Sequence, residues 1–137
     1  MKFPDWLTVY GDQSYRGKCP TEAAEQVTFF AELRRHYPDT LGRIALHPRN
    51  EGQRTAQQAQ RHKADGMAVG AADIIIPGRR TFVCELKRRD HTRSQWQPGQ
   101  LEYLETAFDA DAWVCVALGW EEAMNAVLDW GSVGLNR

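Results

Sequence analysis

The sequence predicts a single mixed α/β domain with a central sheet flanked by helices, and three observations carry that reading. Apolar runs of strand length recur at AADIIIP (71–77), TFVCELKRR (81–89) and AWVCVAL (112–118). Segments with apolar residues at helical spacing lie before, between and after them, and no internal repeat or low-complexity linker breaks the order. At 137 residues the chain is long enough for one domain with a real core and too short for two ordinary ones.

Residues 1–20 are rich in Gly, Pro and turn formers and read as an N-terminal extension, with Trp6, Leu7, Val9 and Tyr10 as candidate anchors; the single domain runs from 21 to 137. Thr21, Glu22 and Glu25 form a capping pattern, and Val27, Phe29, Phe30 and Leu33 follow at helical spacing until Pro38. A strand is expected from Arg43 to His47, stopped by Pro48, with a turn at Asn50-Glu51-Gly52. The polar stretch Arg54 to Ala64 reads as a helix ending before Gly66; without a strong apolar face it is exposed or used for contact. Two strands come next, joined by the basic turn Gly78-Arg79-Arg80, then a loop from His91 to Pro98 and a helix from Gly99 to Phe108 with Leu101, Leu104 and Phe108 on its apolar side. A buried strand at 112–118 and a helix from Trp120 to Trp130 complete the order α, β, polar helical insertion, β, β, α, β, α.

Hydrophobic content of 42% and charged content of 26% are ordinary for a soluble globular protein and favour neither the disordered nor the membrane class. No apolar run approaches the roughly 20 residues that span a bilayer, and the first twenty residues lack the apolar stretch of a secretory signal, so a cytoplasmic location is expected. Cys19, Cys84 and Cys115 are odd in number and lack zinc-site spacing, which predicts reduced thiols, the last two as small core residues. A net charge of −1 rules out holding a polyanion by bulk charge, so nucleic-acid binding needs a local patch. Arg79, Arg80, Lys87, Arg88, Arg89, His91 and Arg93 form one candidate patch, and Arg54, Arg61, His62 and Lys63 another.

The chemistry concentrates on Asp73, Glu85 and Lys87. Side chains alternate along a strand, so Glu85 and Lys87 share one face while Phe82, Cys84 and Leu86 take the other. Asp73 precedes Ile74-Ile75-Ile76 and Glu85 follows Phe82-Val83-Cys84, which sets both acids in runs typical of buried strands. Buried carboxylates are costly unless paired or metal-bound, and a hard divalent ion suits oxygen ligands. A lysine beside such an ion places positive charge where an attacking water or a phosphate oxygen would lie, an arrangement suited to phosphodiester hydrolysis. The plain alternative is a solvated strand face.

This order of elements, with an acid on one strand and Glu-x-Lys on the next, resembles the PD-(D/E)XK nuclease superfamily. The set Glu25-Gln26, Asn50-Glu51-Gly52, Gly70-Ala71-Ala72-Asp73, Cys84-Glu85-Leu86-Lys87-Arg88 and Gln100 is similar to the virus-type replication-repair nuclease (VRR-NUC) domain, over about Thr21 to Leu128. One departure is Ala72-Asp73 where the family often has Pro-Asp, a change at strand entry and not at a ligand. The resemblance implies a restriction-endonuclease-like fold with an αβββαβ core and a magnesium- or manganese-dependent nuclease. It implies that Asp73, Glu85 and the Leu86 carbonyl hold one or two divalent ions, that Lys87 orients or activates the attacking water and stabilises charge on the phosphate, and that Glu25 completes the acidic cluster directly or through metal-bound water. Gln26, Asn50, Gln100, Arg54, Arg79, Arg80 and Arg88 are the expected supporting or DNA-binding residues. Branched DNA, a four-way junction above all, is the expected substrate of a homodimer with no nucleotide cofactor and no membrane partner.

Alternatives remain at several positions. Glu25 also suits a capping box, and Gln100 an ordinary first helical turn. His47 suits a satisfied structural histidine better than a general base, and Trp96 could stack on a base or cover a core edge or an interface. The rival functions are a monomeric flap- or end-directed nuclease, a catalytically silent DNA-binding module of the same fold, and a structural domain with an accidental acid cluster.

Overall fold

The computed structural model describes residues 1–49 and 55–135. A four-stranded mixed sheet has the order β1-β4-β3-β2, with β1 at Thr8–Tyr10, β2 at Ile74–Ile76, β3 at Phe82–Lys87 and β4 at Trp113–Leu118. β3 and β4 run parallel, with α4 in the crossover that parallel neighbours require, whereas β2 and β3 form an antiparallel hairpin. The helices are α1 (Glu22–His36), α2 (Leu41–Ile44), α3 (Ala56–Ala64), α4 (Gln100–Asp109) and α5 (Trp120–Leu135).

Alternation along β3 and β4 divides the core in two. Ile74, Ile76, Phe82, Cys84, Leu86, Cys115 and Ala117 pack against Phe29, Phe30 and Leu33 of α1 and Ala126, Val127 and Trp130 of α5. On the other face Val83, Val114, Val116 and Leu118 meet Leu104 of α4, Leu7 and the partly buried Phe3, Trp6 and Trp96. Glu85 and Lys87 project on this second face, with the odd-numbered residues of β3, as their spacing predicts. Thr21 caps α1 by accepting the Ala24 N–H, and Thr55 forms a full capping box with Gln58 at the start of α3. None of the residues of α3 is buried, in keeping with its polar sequence.

Two segments differ from the sequence reading. The strand expected at Arg43 to His47 is instead the short helix α2, followed by a single antiparallel bridge between Leu46 and Ile75. Gly42 lies so close to the last turn of α1 that a Cβ there would be 2.6 Å from the Tyr37 carbonyl oxygen and 2.8 Å from the Arg34 Cα. That backbone approach winds 41–44 onto α1 and leaves only Leu46 to pair with the sheet. The N-terminal segment, read as an extension with anchors, contributes an edge strand: Thr8–Tyr10 pairs in parallel with Cys115–Ala117. Three residues are too few to display a period of two, so only the neighbouring strand reveals it. Among the described residues no helix is long and apolar enough to cross a membrane.

Candidate active site

The site forms where β2 stops short of the end of β3. Ile74 is opposite Cys84, so beyond Cys84 the edge of β3 has no strand partner on that side. The Leu86 N–H faces this edge and donates to Asp73 Oδ2 at 2.9 Å, which fixes the carboxylate across the open end of the hairpin. Within a strand a residue's C=O points to the same edge as its N–H, so the Leu86 carbonyl lies beside Asp73 as well. His47 Nδ1 donates to the Asp73 main-chain carbonyl at 2.8 Å and holds the acid from the outside, a structural role for this histidine.

α4 closes the site from above because two glycines let its first turn approach. Gly70 has φ +71° and Gly99, at the N-cap of α4, has φ +87°. A Cβ at Gly70 would overlap the Gly99 carbonyl and stand 2.6 Å from the Gln100 N, so no larger residue fits. Gln100 is thereby placed to bridge the two charged groups of β3. Its Nε2 donates to Glu85 Oε1 at 3.0 Å, and its Oε1 accepts from Lys87 Nζ at 2.9 Å and from the Gln97 N–H at 2.9 Å.

Lys87 is fully buried, and its ammonium is satisfied mainly by neutral acceptors. Nζ donates to the Gln95 carbonyl and to Gln100 Oε1, each at 2.9 Å, and lies 5.2 Å from the centroid of the Trp96 ring. Glu22 Oε1 is 3.9 Å away, a long pairing, and Glu22 Oε2 accepts from the Ser94 hydroxyl at 2.6 Å. Glu85 is 1% exposed, and its Oε2 has no hydrogen-bond partner among the described residues. Burial pushes the Glu85 carboxyl well above the usual carboxylate range; repulsion from the nearby Asp73 raises it further, and Lys87 opposes both. Asp73, Gln100, Glu22, Gln26 and His47 line a cavity of about 580 Å³ that opens beside this cluster.

An orphaned carboxylate oxygen next to a second carboxylate fits a hard cation, which would remove both the repulsion and the unpaired acceptor. Among the described residues no three acidic, His or Cys side chains form a closed cage for an ion. The groups that could hold an ion here are the two carboxylates and the Leu86 main-chain carbonyl, a donor set that would leave positions for water, as magnesium requires.

Not every expected site residue arrives here. Glu25 does not line the cavity; it is buried at the N-terminus of α5, where Oε2 accepts the Trp120 N–H and Oε1 lies 3.7 Å from Arg89 Nε. The acid that α1 directs to the site is Glu22, which the sequence reading treated only as part of a cap. Its signal was its place seven and eleven residues before Phe29 and Leu33, on the buried stripe of α1 but in a first turn that reaches past the apolar core. Replacing Glu25 by Ala should therefore lower stability by about 1–2 kcal/mol, the usual cost of a lost helix cap, and leave the geometry around Glu85 unchanged. Denaturant melts beside amide spectra of β3 check this.

Gln26 lines the cavity as expected. Arg88 is spent internally, donating from Nε to the Pro20 carbonyl at 3.1 Å and from Nη2 to the Cys19 carbonyl at 2.7 Å. Arg80 binds the Asp111 and Ala112 carbonyls, and Arg79 is exposed beside it. Both lie in the turn before Phe82, at the opposite end of β3 from Lys87, because a hairpin separates its turn from its open end. Asn50 and Arg54 lie outside the described residues.

In fold, the chain is similar to a solved structure described as a VRR_NUC domain protein. The TM-score is 0.68 with 21% sequence identity, and the match covers 88% of this chain and 93% of that one. The mixed α/β architecture is thus a VRR-NUC-like, PD-(D/E)XK-type fold. No family model matches the sequence, and no curated protein matches it.

Proposed function

We propose that this protein is a divalent-metal-dependent DNA endonuclease that hydrolyses phosphodiester bonds, acts on branched DNA and works as a homodimer. The observation that carries the reading is the pairing, at one open strand edge, of an orphaned buried carboxylate with a fully buried lysine. Both groups are costly to bury and contribute nothing to packing that a Leu or Met would not. The likeness in fold to a VRR_NUC domain protein supports the nuclease class.

Asp73, Glu85 and the Leu86 carbonyl would hold Mg²⁺ or Mn²⁺, with Glu22 adding negative charge from α1. The ion, when bound, supplies Lewis-acid stabilisation of charge on the phosphate and a more acidic water. Lys87 commits two of its three N–H donors to Gln95 and Gln100, leaving one for a phosphate oxygen or the attacking water. Gln100 keeps lysine and carboxylate in register by touching both. The cavity walled by Gln26, His47 and Gln100 admits the DNA backbone.

A four-way junction is nearly two-fold symmetric, so a symmetric pair of these sites suits paired cuts. Single DNA-binding modules bury only about 600–1,000 Å², less than a branched substrate offers. The test is cleavage of end-labelled four-way junction, flap and plain duplex DNA with Mg²⁺ or Mn²⁺, comparing the wild type with Asp73→Ala and Lys87→Ala. Symmetric paired cuts on the junction, absent from both variants, are the expected result. Cuts confined to flaps or ends would assign a monomeric nuclease, and binding without cutting would assign a silent DNA-binding module.

A further inference from the structure

Lys87 is held on one side by something no sequence pattern names: the indole of Trp96, in the loop between β3 and α4. Three sides of that indole are occupied. One face covers the Lys87 ammonium, Nε1 donates to the Lys2 carbonyl at 2.9 Å, and the ring meets Phe3 edge-on at a centroid distance of 6.1 Å. Phe3 also packs edge-on against His91 at 5.3 Å, and His91 Nε2 donates to the Gln13 carbonyl at 3.1 Å. Further along, the Gly17 N–H donates to Asp90 Oδ2 at 3.0 Å, and Arg88 grips the Cys19 and Pro20 carbonyls. The first twenty residues thus run as a strap along the lysine loop, with β1 anchoring the strap to β4.

The geometry points to Trp96 as a positioning residue for Lys87, kept in place by the N-terminal strap; this rests on the nuclease reading given above. A buried ammonium with two hydrogen bonds to neutral oxygens can swing about them. The negative face of an aromatic ring restricts that swing and stabilises the charge without taking up the remaining N–H donor. A Glu or Asp in the same place would take that donor and compete with the phosphate. One face of the ring is given to Lys87 and the Nε1 edge to Lys2, while Trp96 as a whole is only half-buried, so stacking of a nucleic-acid base on the remaining face is the competing role that DNA affinity tests.

The experiment compares wild type, Trp96→Phe and Trp96→Leu in three measurements: single-turnover cleavage of a labelled junction at saturating DNA with Mg²⁺, DNA affinity with Ca²⁺ in place of Mg²⁺, and exchange of the Lys87 ammonium protons by NMR. Trp96→Leu is expected to slow cleavage about tenfold, to leave DNA affinity within about twofold, and to speed ammonium exchange. Trp96→Phe keeps a smaller aromatic face and loses the indole N–H bond to Lys2, so it should retain more of the rate and of the slow exchange than Trp96→Leu. Weaker DNA binding with an unchanged rate at saturation would overturn the proposal in favour of base stacking. Equal loss in the Phe and Leu variants would reduce Trp96 to packing. If the wild type cuts no DNA with any metal, the nuclease reading falls, and the exchange measurement still decides whether Trp96 seats the lysine.

Discussion

Glu85→Gln is expected to abolish cleavage and, in the absence of metal, to make the fold more stable. The wild-type carboxylate is 1% exposed, leaves Oε2 without a hydrogen bond among the described residues, and faces Asp73. Glutamine is isosteric and neutral. Its carbonyl can still accept from Gln100 Nε2, and its amide can donate toward Asp73, which turns a repulsion into a hydrogen bond. The gain should be roughly 1 kcal/mol, typical of relieving a strained functional position.

pH dependence separates this from a generic packing effect. The Glu85 carboxyl sits well above its ordinary value of 4.5, so the native state holds a proton that the unfolded chain releases. Metal-free wild type therefore loses stability as pH rises from 4.5 towards the raised value, and the variant does not. Melts in EDTA should diverge with rising pH. Millimolar Mg²⁺ should restore the wild type by binding the native state and leave the variant unmoved. A variant that melts below the wild type in EDTA, or gains equally from Mg²⁺, would show that Glu85 is not the ion's ligand.

Lys87→Ala should have the largest effect on rate: a fall of about 10²–10³ in kcat, the range seen when a group that stabilises transition-state charge is removed. DNA affinity should change little, because Lys87 is fully buried and adds little to the surface field. A lysine acting only as a phosphate contact would instead weaken binding and reduce its salt dependence. The variant also strands the Gln95 carbonyl and Gln100 Oε1 and leaves a cavity, which should cost about 2–3 kcal/mol. Assays well below the melting temperature keep the two effects apart. Lys87→Arg is not expected to rescue, because the planar guanidinium does not match a seat built for a compact ammonium under an indole. A rate within a few-fold of wild type would remove Lys87 from the chemistry.

The chain alone determined whatever follows from local period. Alternation along 82–87 placed Glu85 and Lys87 on one face and Cys84 and Leu86 on the other, and helical spacing located α1, α4 and α5. The order of elements, taken together with the charged motif residues, indicated the fold that the structural likeness bears out, although one expected strand is absent. Tertiary structure decided which groups meet. Glu22 and Glu25 are one turn apart on α1, yet the helix's docking sends one carboxylate to the lysine and the other to the N-terminus of α5. The strand expected at 43–47 gave way to a helical turn because Gly42 lets the backbone close on α1. The strap over Trp96 joins Lys2 to a residue 94 positions away, and Arg80, near Glu85 in sequence, is carried to the far end of the hairpin. Periodicity is set by backbone geometry within a few residues and is legible in the chain, whereas the convergence of distant side chains depends on how finished elements pack.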